Sequence, residues 1–274
     1  MRVGFVGIGS QGGPMAQRII TAGYPTTVWA RREAALEPFV ATGAQPAASR
    51  AELGAASDLL CVCVVDDAGV DDVLRGADGA MAAMAPGSAV VVHSTVHPDT
   101  CVRLANDHPD LAVIDAPVSG GGAKAAEREL LVMVGGDPAA VERCRPVFET
   151  YGNPVVHVGP LGAGQEAKLL NNALFAAQLA LAAEVYSRAT ARGLDPHAVA
   201  MALAAGSGRS YAAGLIAMMG FGLDNLAGDP AALLAKDVGI LAALDPRDRS
   251  TLLDAANAAV ELMGAAPTPG KESR

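Results

Sequence analysis

The chain is poor in aromatic residues: they make up 4% of 274 positions, with five Phe, four Tyr and a single Trp. A core without large flat side chains must be filled by Ala, Val and Leu, which favours closely packed helices. Basic residues are also in deficit. Twenty Lys and Arg face 29 Asp and Glu, for a formal charge of −9. The pI is about 5.0. That balance argues against nucleic acid and against an anionic membrane as partners, because both recruit basic surfaces. A small anionic substrate stays open, since a pocket can be basic on an acidic protein. No apolar run reaches the ~18 residues of a membrane span. The first strand is broken by glycines, so it does not read as a signal peptide. There are four cysteines, Cys61, Cys63, Cys101 and Cys144. Cys61 and Cys63 lie in the run LLCVCVV and should share one face of a strand. With no histidine cluster beside them they are a poor metal signal. They read as buried, reduced thiols of a cytoplasmic protein that needs no metal.

What the chain does have begins at Arg2, with RVGFVGIGSQGGPMAQR. The apolar run Val3–Ile8 reads as a buried strand. Gly7, Gly9 and Gly12 then supply the G-x-G-x-x-G spacing, with Ser10 and Gln11 between them, and a helical pattern follows from Pro14. The first glycine permits a tight turn. The second lets a pyrophosphate approach the backbone, and the third lets helix and strand pack closely. The free N–H groups of the helix start complete an anion site. A lone G-x-G-x-x-G is often an ordinary turn; the order strand, glycines, helix points to a dinucleotide. The second strand, Thr26–Trp29, ends in Ala30-Arg31-Arg32. An NAD site puts a carboxylate there for the ribose hydroxyls, and an NADP site puts arginine there for the 2′-phosphate. Arg31 and Arg32 therefore favour NADP, with NAD possible; Glu33 is a weak counter-signal.

Further strands are expected at Leu59–Val65, Ala89–His93, Ala112–Ala116, Leu130–Gly135 and Pro154–Val158, alternating with helices such as Pro14–Ala22, Arg32–Thr42 and Asp66–Leu74. Such alternation predicts parallel βαβ units. After residue 160 the β signal stops. Gln165–Arg192 reads as one long helix ending at Gly193, with Leu169, Asn172, Leu179, Ala183 and Tyr186 facing inward. Asp-Pro pairs at 195, 229 and 245 mark the starts of later helices, as Asp137-Pro138 does earlier. Helices are expected near 196–205, 211–220, 230–243 and 246–263.

Two clusters carry candidate chemistry besides the glycine loop. DAPVSGGG, Asp115–Gly122, follows a strand. Ser119 and the N–H groups of Gly120 and Gly121 could bind a carboxylate, although the stretch alone could equally be a plain turn. GAGQEAKLLNN, Gly162–Asn172, puts Lys168 and Asn172 four apart on one helix face. A desolvated lysine suits acid–base work on an alcohol or carbonyl. On sequence alone Lys168 could also sit on an exposed stripe. The late pair Lys236-Asp237 in LLAKDVGIL would by itself be a salt-bridged face.

Together these clusters resemble the β-hydroxyacid dehydrogenase family. That group includes 3-hydroxyisobutyrate dehydrogenase, tartronate semialdehyde reductase and the glyoxylate and succinic semialdehyde reductases. The resemblance covers nearly the whole chain. It rests on GFVGIGSQGGPMA, on DAPVSGG followed by LLVMVGG, on GAGQEAKLLNN and on the late Lys-Asp pair. It implies an α/β fold: a Rossmann-type doubly wound sheet over 1–161, a long interdomain helix, an all-helical substrate and dimerisation domain over 162–265, and a frayed tail over 266–274. It implies Lys168 as the acid–base residue, with Asn172 positioning lysine or substrate. Ser119, Gly120 and Gly121 would hold the substrate carboxylate. Lys236 and Asp237 would close the site near the nicotinamide, Lys236 also touching the cofactor. Thr95, in Ser94-Thr95, would lie beside the nicotinamide ribose, and Val65-Asp66 would give a backbone cofactor contact.

The activity so implied is hydride transfer between nicotinamide and a short β-hydroxy acid or its semialdehyde or keto form, with NADP preferred on the strength of Arg31 and Arg32; the apolar, alanine-rich helical half suggests a homodimer or homotetramer. The nearest alternative is an imine or iminium reductase of the same superfamily. Those enzymes usually carry Asp or Tyr at the lysine position, so Lys168 counts against it. A non-catalytic nucleotide sensor is the other alternative. The chain departs from the family's pattern at Gln11, where Met is common, and at Arg128, where Gly is usual and a reshaped turn is expected. The loop Gly206–Ser210 is similar to the 3-hydroxyisobutyrate branch, but the tyrosine and alanines after it differ.

Overall fold

A computed structural model describes residues 1–76, 78–244 and 250–265, with the side chain of Asn225 set aside. Its contacts divide the chain into two compact units, Met1–Lys168 and Leu169–Arg274.

Among the described residues of the first unit, nine strands are interspersed with helices. The strands are β1 (Val3–Val6), β2 (Thr26–Trp29), β3 (Gln45–Pro46), β4 (Leu59–Val62), β5 (Ala89–Val92), β6 (Ala112–Asp115), β7 (Val118–Ser119), β8 (Leu130–Gly135) and β9 (Gly152–Gly159). The helices are α1 (Gly12–Thr21), α2 (Glu37–Val40), α3 (Arg50–Ala55), α4 (Asp67–Arg75), α5 (Pro98–Asp107), α6 (Gly121–Ala126) and α7 (Pro138–Phe148). The long α8 (Ala163–Ala191) starts in this unit. Sheet order is β3-β2-β1-β4-β5-β6-β8-β7, with β9 paired to β8. Neighbours from β3 to β6 run parallel; β8 is antiparallel to β6 and β7. This is the doubly wound order, and the chain reverses direction across the sheet between β1 and β4. Ligands of such sheets bind at the strand C-termini beside that reversal.

The strands read as unbroken apolar runs because helices cover both faces. Val3, Phe5, Cys61 and Val91 alternate onto one face and pack with Met15, Ile19 and Phe148. Val6, Leu60, Val62 and Val90 take the other face with Leu53, Val70 and Leu104. All four cysteines are free; Cys61, Cys101 and Cys144 are buried and Cys63 is partly so. Burial raises the Cys61 thiol well above its usual pKa.

Several boundaries differ from expectation. β1 ends at Val6 and not Ile8, because Gly7 already turns the chain at φ +89°. β4 and β5 each stop short, at Val62 and Val92, where the chain leaves the sheet. The single helix expected over Arg32–Thr42 is a 3-10 turn, Glu33–Leu36, followed by the four-residue α2. The two-residue strands β3 and β7 were not foreseen; β3 contains Pro46, which cannot donate to a ladder and suits an edge. Arg128 adopts the left-handed conformation at φ +63°, and its guanidinium donates to the Glu149 carbonyl at 3.1 Å. That backbone conformation costs a non-glycine residue about 1–2 kcal/mol. Arg128→Gly is expected to raise the thermal midpoint and Arg128→Val to lower it. Thermal unfolding followed by circular dichroism checks this, and identical midpoints would show the turn to be unstrained.

The second unit is helical: α8 continues, followed by α9 (Pro196–Ala205), α10 (Tyr211–Met218), α11 (Asp229–Leu244) and α12 (Thr251–Leu262). Leu179, Tyr186, Ile216, Val238 and Val260 form its core, with alanines filling the gaps. Of the inward candidates on α8, Leu169, Leu179 and Tyr186 are buried, while Asn172 and Ala183 are half-buried. Gly193 ends α8 at φ +74°, and Asp195 caps α9 by accepting from His197 N–H. Asp229 is not the cap expected of it. It lies inside α11, and the Gly228 carbonyl accepts the first helical bond, from Ala232. Asp245-Pro246 and the tail 266–274 lie outside the described residues; α12 starts at Thr251 behind Ser250. No described helix is long and apolar enough to cross a membrane.

Candidate active site

The glycine loop joins β1 to α1. A side chain on Gly7 would meet the Cys63 carbonyl, and the residue's positive φ excludes one in any case. A side chain on Gly12 would meet the Gly7 carbonyl and Phe5, so the third glycine permits close packing of α1 on β1. Gly9 is different: apart from its chain neighbours, no described residue lies within 4 Å of where its Cβ would be. Gln11 stands at the N-cap position of α1, yet its side chain does not cap the helix and instead reaches Met15. The leading N–H groups of α1 therefore keep no side-chain partner at the cap, beside open backbone. Ser10 is exposed there. These residues fit a phosphate-bearing group. Arg31 and Arg32 follow β2 and are exposed.

The loops after β4 and β5 lie next in the sheet. Val65 is 68% exposed. Asp66 caps α4, its Oδ1 accepting from Gly69 N–H at 2.8 Å. Ser94 Oγ accepts from Val64 N–H at 2.8 Å, fastening the two loops, and the half-buried Thr95 follows directly. Gln165 of α8 then joins this assembly. Its Nε2 donates to the Ser94 carbonyl at 2.9 Å, and its Oε1 accepts from Val96 N–H at 3.1 Å. Asp115, fully buried at the end of β6, accepts from Gly162 N–H and Gln165 N–H, both at 2.7 Å. Burial raises the Asp115 pKa, and those N–H groups oppose the rise. The first turns of α8 are thus tied to β5 and β6. Lys168 sits three residues beyond Gln165 and is 9% exposed.

Ser119, Gly120 and Gly121 form the turn from β7 into α6; Ser119 is half-buried and both glycines are exposed. Gly120 and Gly121 have φ +137° and +77°, values that favour glycine. The next residue packs on the glycine loop: a Cβ on Gly122 would overlap the Ser10 carbonyl oxygen. The structure therefore brings the glycine loop and the Ser119 loop against each other within one unit.

In the second unit, Asn172 Nδ2 on α8 donates to Asp237 Oδ2 of α11 at 2.6 Å. Lys236 Nζ lies 2.8 Å from Asp237 Oδ1. The Asp237 side chain is 7% exposed, so Asp237 acts as a buried anchor for Asn172 and Lys236. Sequence reasoning missed Asp115, Gln165 and the buried His93. Asp115 and Gln165 lay inside motifs already singled out, but partners 47 to 71 positions apart carry no local signal.

A family model described as the NAD binding domain of 6-phosphogluconate dehydrogenase matches residues 2–159. A second, described as the NAD-binding region of NADP-dependent 3-hydroxyisobutyrate dehydrogenase, matches residues 162–272. The chain belongs to the β-hydroxyacid dehydrogenase family. It is an NAD(P)-dependent oxidoreductase. This dehydrogenase is similar to the NAD-dependent L-serine dehydrogenase of Pseudomonas aeruginosa, with 35% identity over 248 residues, 87% of this chain and 83% of that protein. Among solved structures it resembles a Mycobacterium tuberculosis 3-hydroxyisobutyrate dehydrogenase with L-serine. The TM-score is 0.82 at 25% identity, covering 98% of this chain and 96% of that one. It also resembles a protein named Psf3 in complex with NADP+ and 2-OPP, with TM-score 0.83, 28% identity and coverage of 97% and 96%.

Proposed function

We propose that this dehydrogenase interconverts a short β-hydroxy acid and its semialdehyde or keto form, with NADP as the preferred cofactor and Lys168 as acid–base. The observation that carries the reading is Lys168 itself: a lysine 9% exposed, on a helix turn pinned through Asp115 and Gln165 to the strand ends that bear the cofactor loops. Cofactor binding belongs to residues 1–161, and substrate selection and assembly to 162–265. When bound, the nicotinamide supplies or takes up the hydride. Lys168 Nζ gives a proton to the substrate oxygen in reduction and takes it back in oxidation. Ser119 and the N–H groups of Gly120 and Gly121 hold the substrate carboxylate. Asn172, fixed by Asp237, orients lysine or substrate, and Thr95 stands beside the nicotinamide ribose. Val65 and Asp66 offer their backbone to the cofactor. The test is a panel of short hydroxy acids, their methyl esters and the matching aldehydes, read by NADPH and NADH absorbance. Turnover of acids with Ser119→Ala impairing acids more than esters supports the reading; equal impairment removes the carboxylate site.

Cofactor preference rests on Arg31 and Arg32 following Ala30, where no carboxylate stands. A charge-assisted contact to the 2′-phosphate is worth roughly 1.5–3 kcal/mol. NADP is therefore expected to bind more tightly than NAD, and Arg31→Ala to erase most of the difference. Calorimetric titration of both cofactors decides it, and equal affinities in the wild type would sink the preference.

Assembly rests on α8. Leu170, Leu174, Leu181 and Val185 are 50%, 52%, 57% and 41% exposed, and their 4-7-4 spacing sets them along one face. An apolar stripe of this kind marks an interaction surface, here for a second copy of the chain in a homodimer or homotetramer. Sedimentation at micromolar concentration should find no monomer of 27.6 kDa; a clean monomer refutes it.

A further inference from the structure

One buried polar cluster is left unused by the reaction as derived. His93 directly follows β5, is 2% exposed, and sits among apolar residues beside the rings of Phe148 and Tyr151. Its Nδ1 lies 2.7 Å from the Ala116 carbonyl oxygen and its Nε2 lies 3.1 Å from the Tyr151 hydroxyl. A carbonyl only accepts, so Nδ1 carries the ring proton and donates. Nε2 is then the acceptor, and the fully buried Tyr151 hydroxyl donates to it. Burial lowers the His93 pKa to about 4, so the ring is neutral at pH 7 and this arrangement is the one populated.

Ala116 stands where the chain leaves β6 and turns toward β7. Its N–H still donates to the Val92 carbonyl at 2.9 Å. Beyond it the pairing changes: Pro117 accepts from Met133 N–H at 3.0 Å, and Val118 and Ser119 lie antiparallel to β8. The imidazole satisfies a carbonyl at this corner, three residues before Ser119. It also lies two residues before Thr95 in its own segment.

We propose that His93 and Tyr151 are positioning residues that fix the corner at Ala116, and through it the register of the Ser119–Gly121 loop. The tyrosine hydroxyl orients the ring, and the ring holds the corner. A core that needed only volume here would have no use for two mutually satisfied polar side chains, because an unpaired buried donor or acceptor costs more than an apolar replacement. The proposal rests on the reading of that loop as a ligand site only for its kinetic consequence, not for its structural one.

The experiment compares Tyr151→Phe, His93→Leu and His93→Gln with the wild type. Glutamine keeps a donor for the Ala116 carbonyl. Native-state hydrogen exchange is read at the Ala116 and Met133 amides, with Gly13 and Cys63 on the cofactor side as controls. Tyr151→Phe and His93→Leu should speed exchange at Ala116 and Met133 tenfold or more, leave the controls within twofold, and be rescued in His93→Gln. Unchanged exchange in Tyr151→Phe, or equal behaviour of leucine and glutamine, overturns the proposal. A second arm measures steady-state kinetics with 3-hydroxyisobutyrate in Tyr151→Phe. A KM raised fivefold or more at a kcat within twofold supports positioning of the carboxylate loop. Faster exchange with an unmoved KM keeps the positioning role and removes the carboxylate reading instead.

Discussion

Lys168→Ala is expected to lower kcat by about 10²–10⁴-fold, the range that a positioned acid–base group contributes. The side chain is buried, on a turn held by the Asp115 carboxylate and by Gln165, so its placement does not depend on a flexible loop. Cofactor affinity should change little, because the open backbone at Gly9 and the start of α1 lie on a different element. Lys168→Arg should not rescue activity, since a guanidinium does not release its proton near neutral pH. Steady-state kinetics with separate cofactor titrations test this, with thermal unfolding as a control for folding. An alanine variant that keeps more than about a tenth of wild-type kcat falls outside the acid–base range. That result would take the lysine out of the mechanism and favour a reaction in which another group supplies the proton.

Gly122→Ala should weaken cofactor and acid binding together. A Cβ at 122 overlaps the Ser10 carbonyl, a backbone atom that cannot rotate away, so α6 and the glycine loop must part. Overpacking of this kind costs roughly 1–3 kcal/mol, equivalent to a loss of about five- to 150-fold in each affinity. Gly9→Ala is the informative contrast. Apart from its chain neighbours, no described residue lies within 4 Å of its Cβ position, so its thermal midpoint should match the wild type while its cofactor affinity falls. Calorimetry with NADP and kinetics with the acid separate the two variants. A Gly122→Ala enzyme that binds cofactor normally would show that the two loops are not coupled.

Much of the cofactor half could be read from order along the chain. Strand, glycines and helix are neighbours in sequence, and each glycine's demand is local: a turn at Gly7, open backbone at Gly9, a close approach at Gly12. The long helix could be read as well, from its length and from Gly193 behind it. Helix boundaries set by side-chain capping were partly readable. Asp137 and Asp195 cap as their Asp-Pro pairs suggest, whereas Asp229 does not, because Gly228 already supplies the first accepting carbonyl. The short strands β3 and β7 escaped because two residues carry no periodicity.

Taken alone, the sequence determined the α/β class, the nucleotide loop, the helical second half and the identity of the candidate chemical groups, since each depends on residues within one helix, strand or turn. Only the tertiary structure decided how those groups are held. The approach of Gly122 to Ser10, the Asp115–Gln165 anchor under Lys168, the Asn172–Asp237 bond and the His93–Tyr151–Ala116 corner join residues that are 23 to 112 positions apart. Such pairs leave no periodic trace in the chain. A buried polar atom takes whichever partner the packing brings to it, because the cost of leaving it unpaired is settled only when distant segments meet.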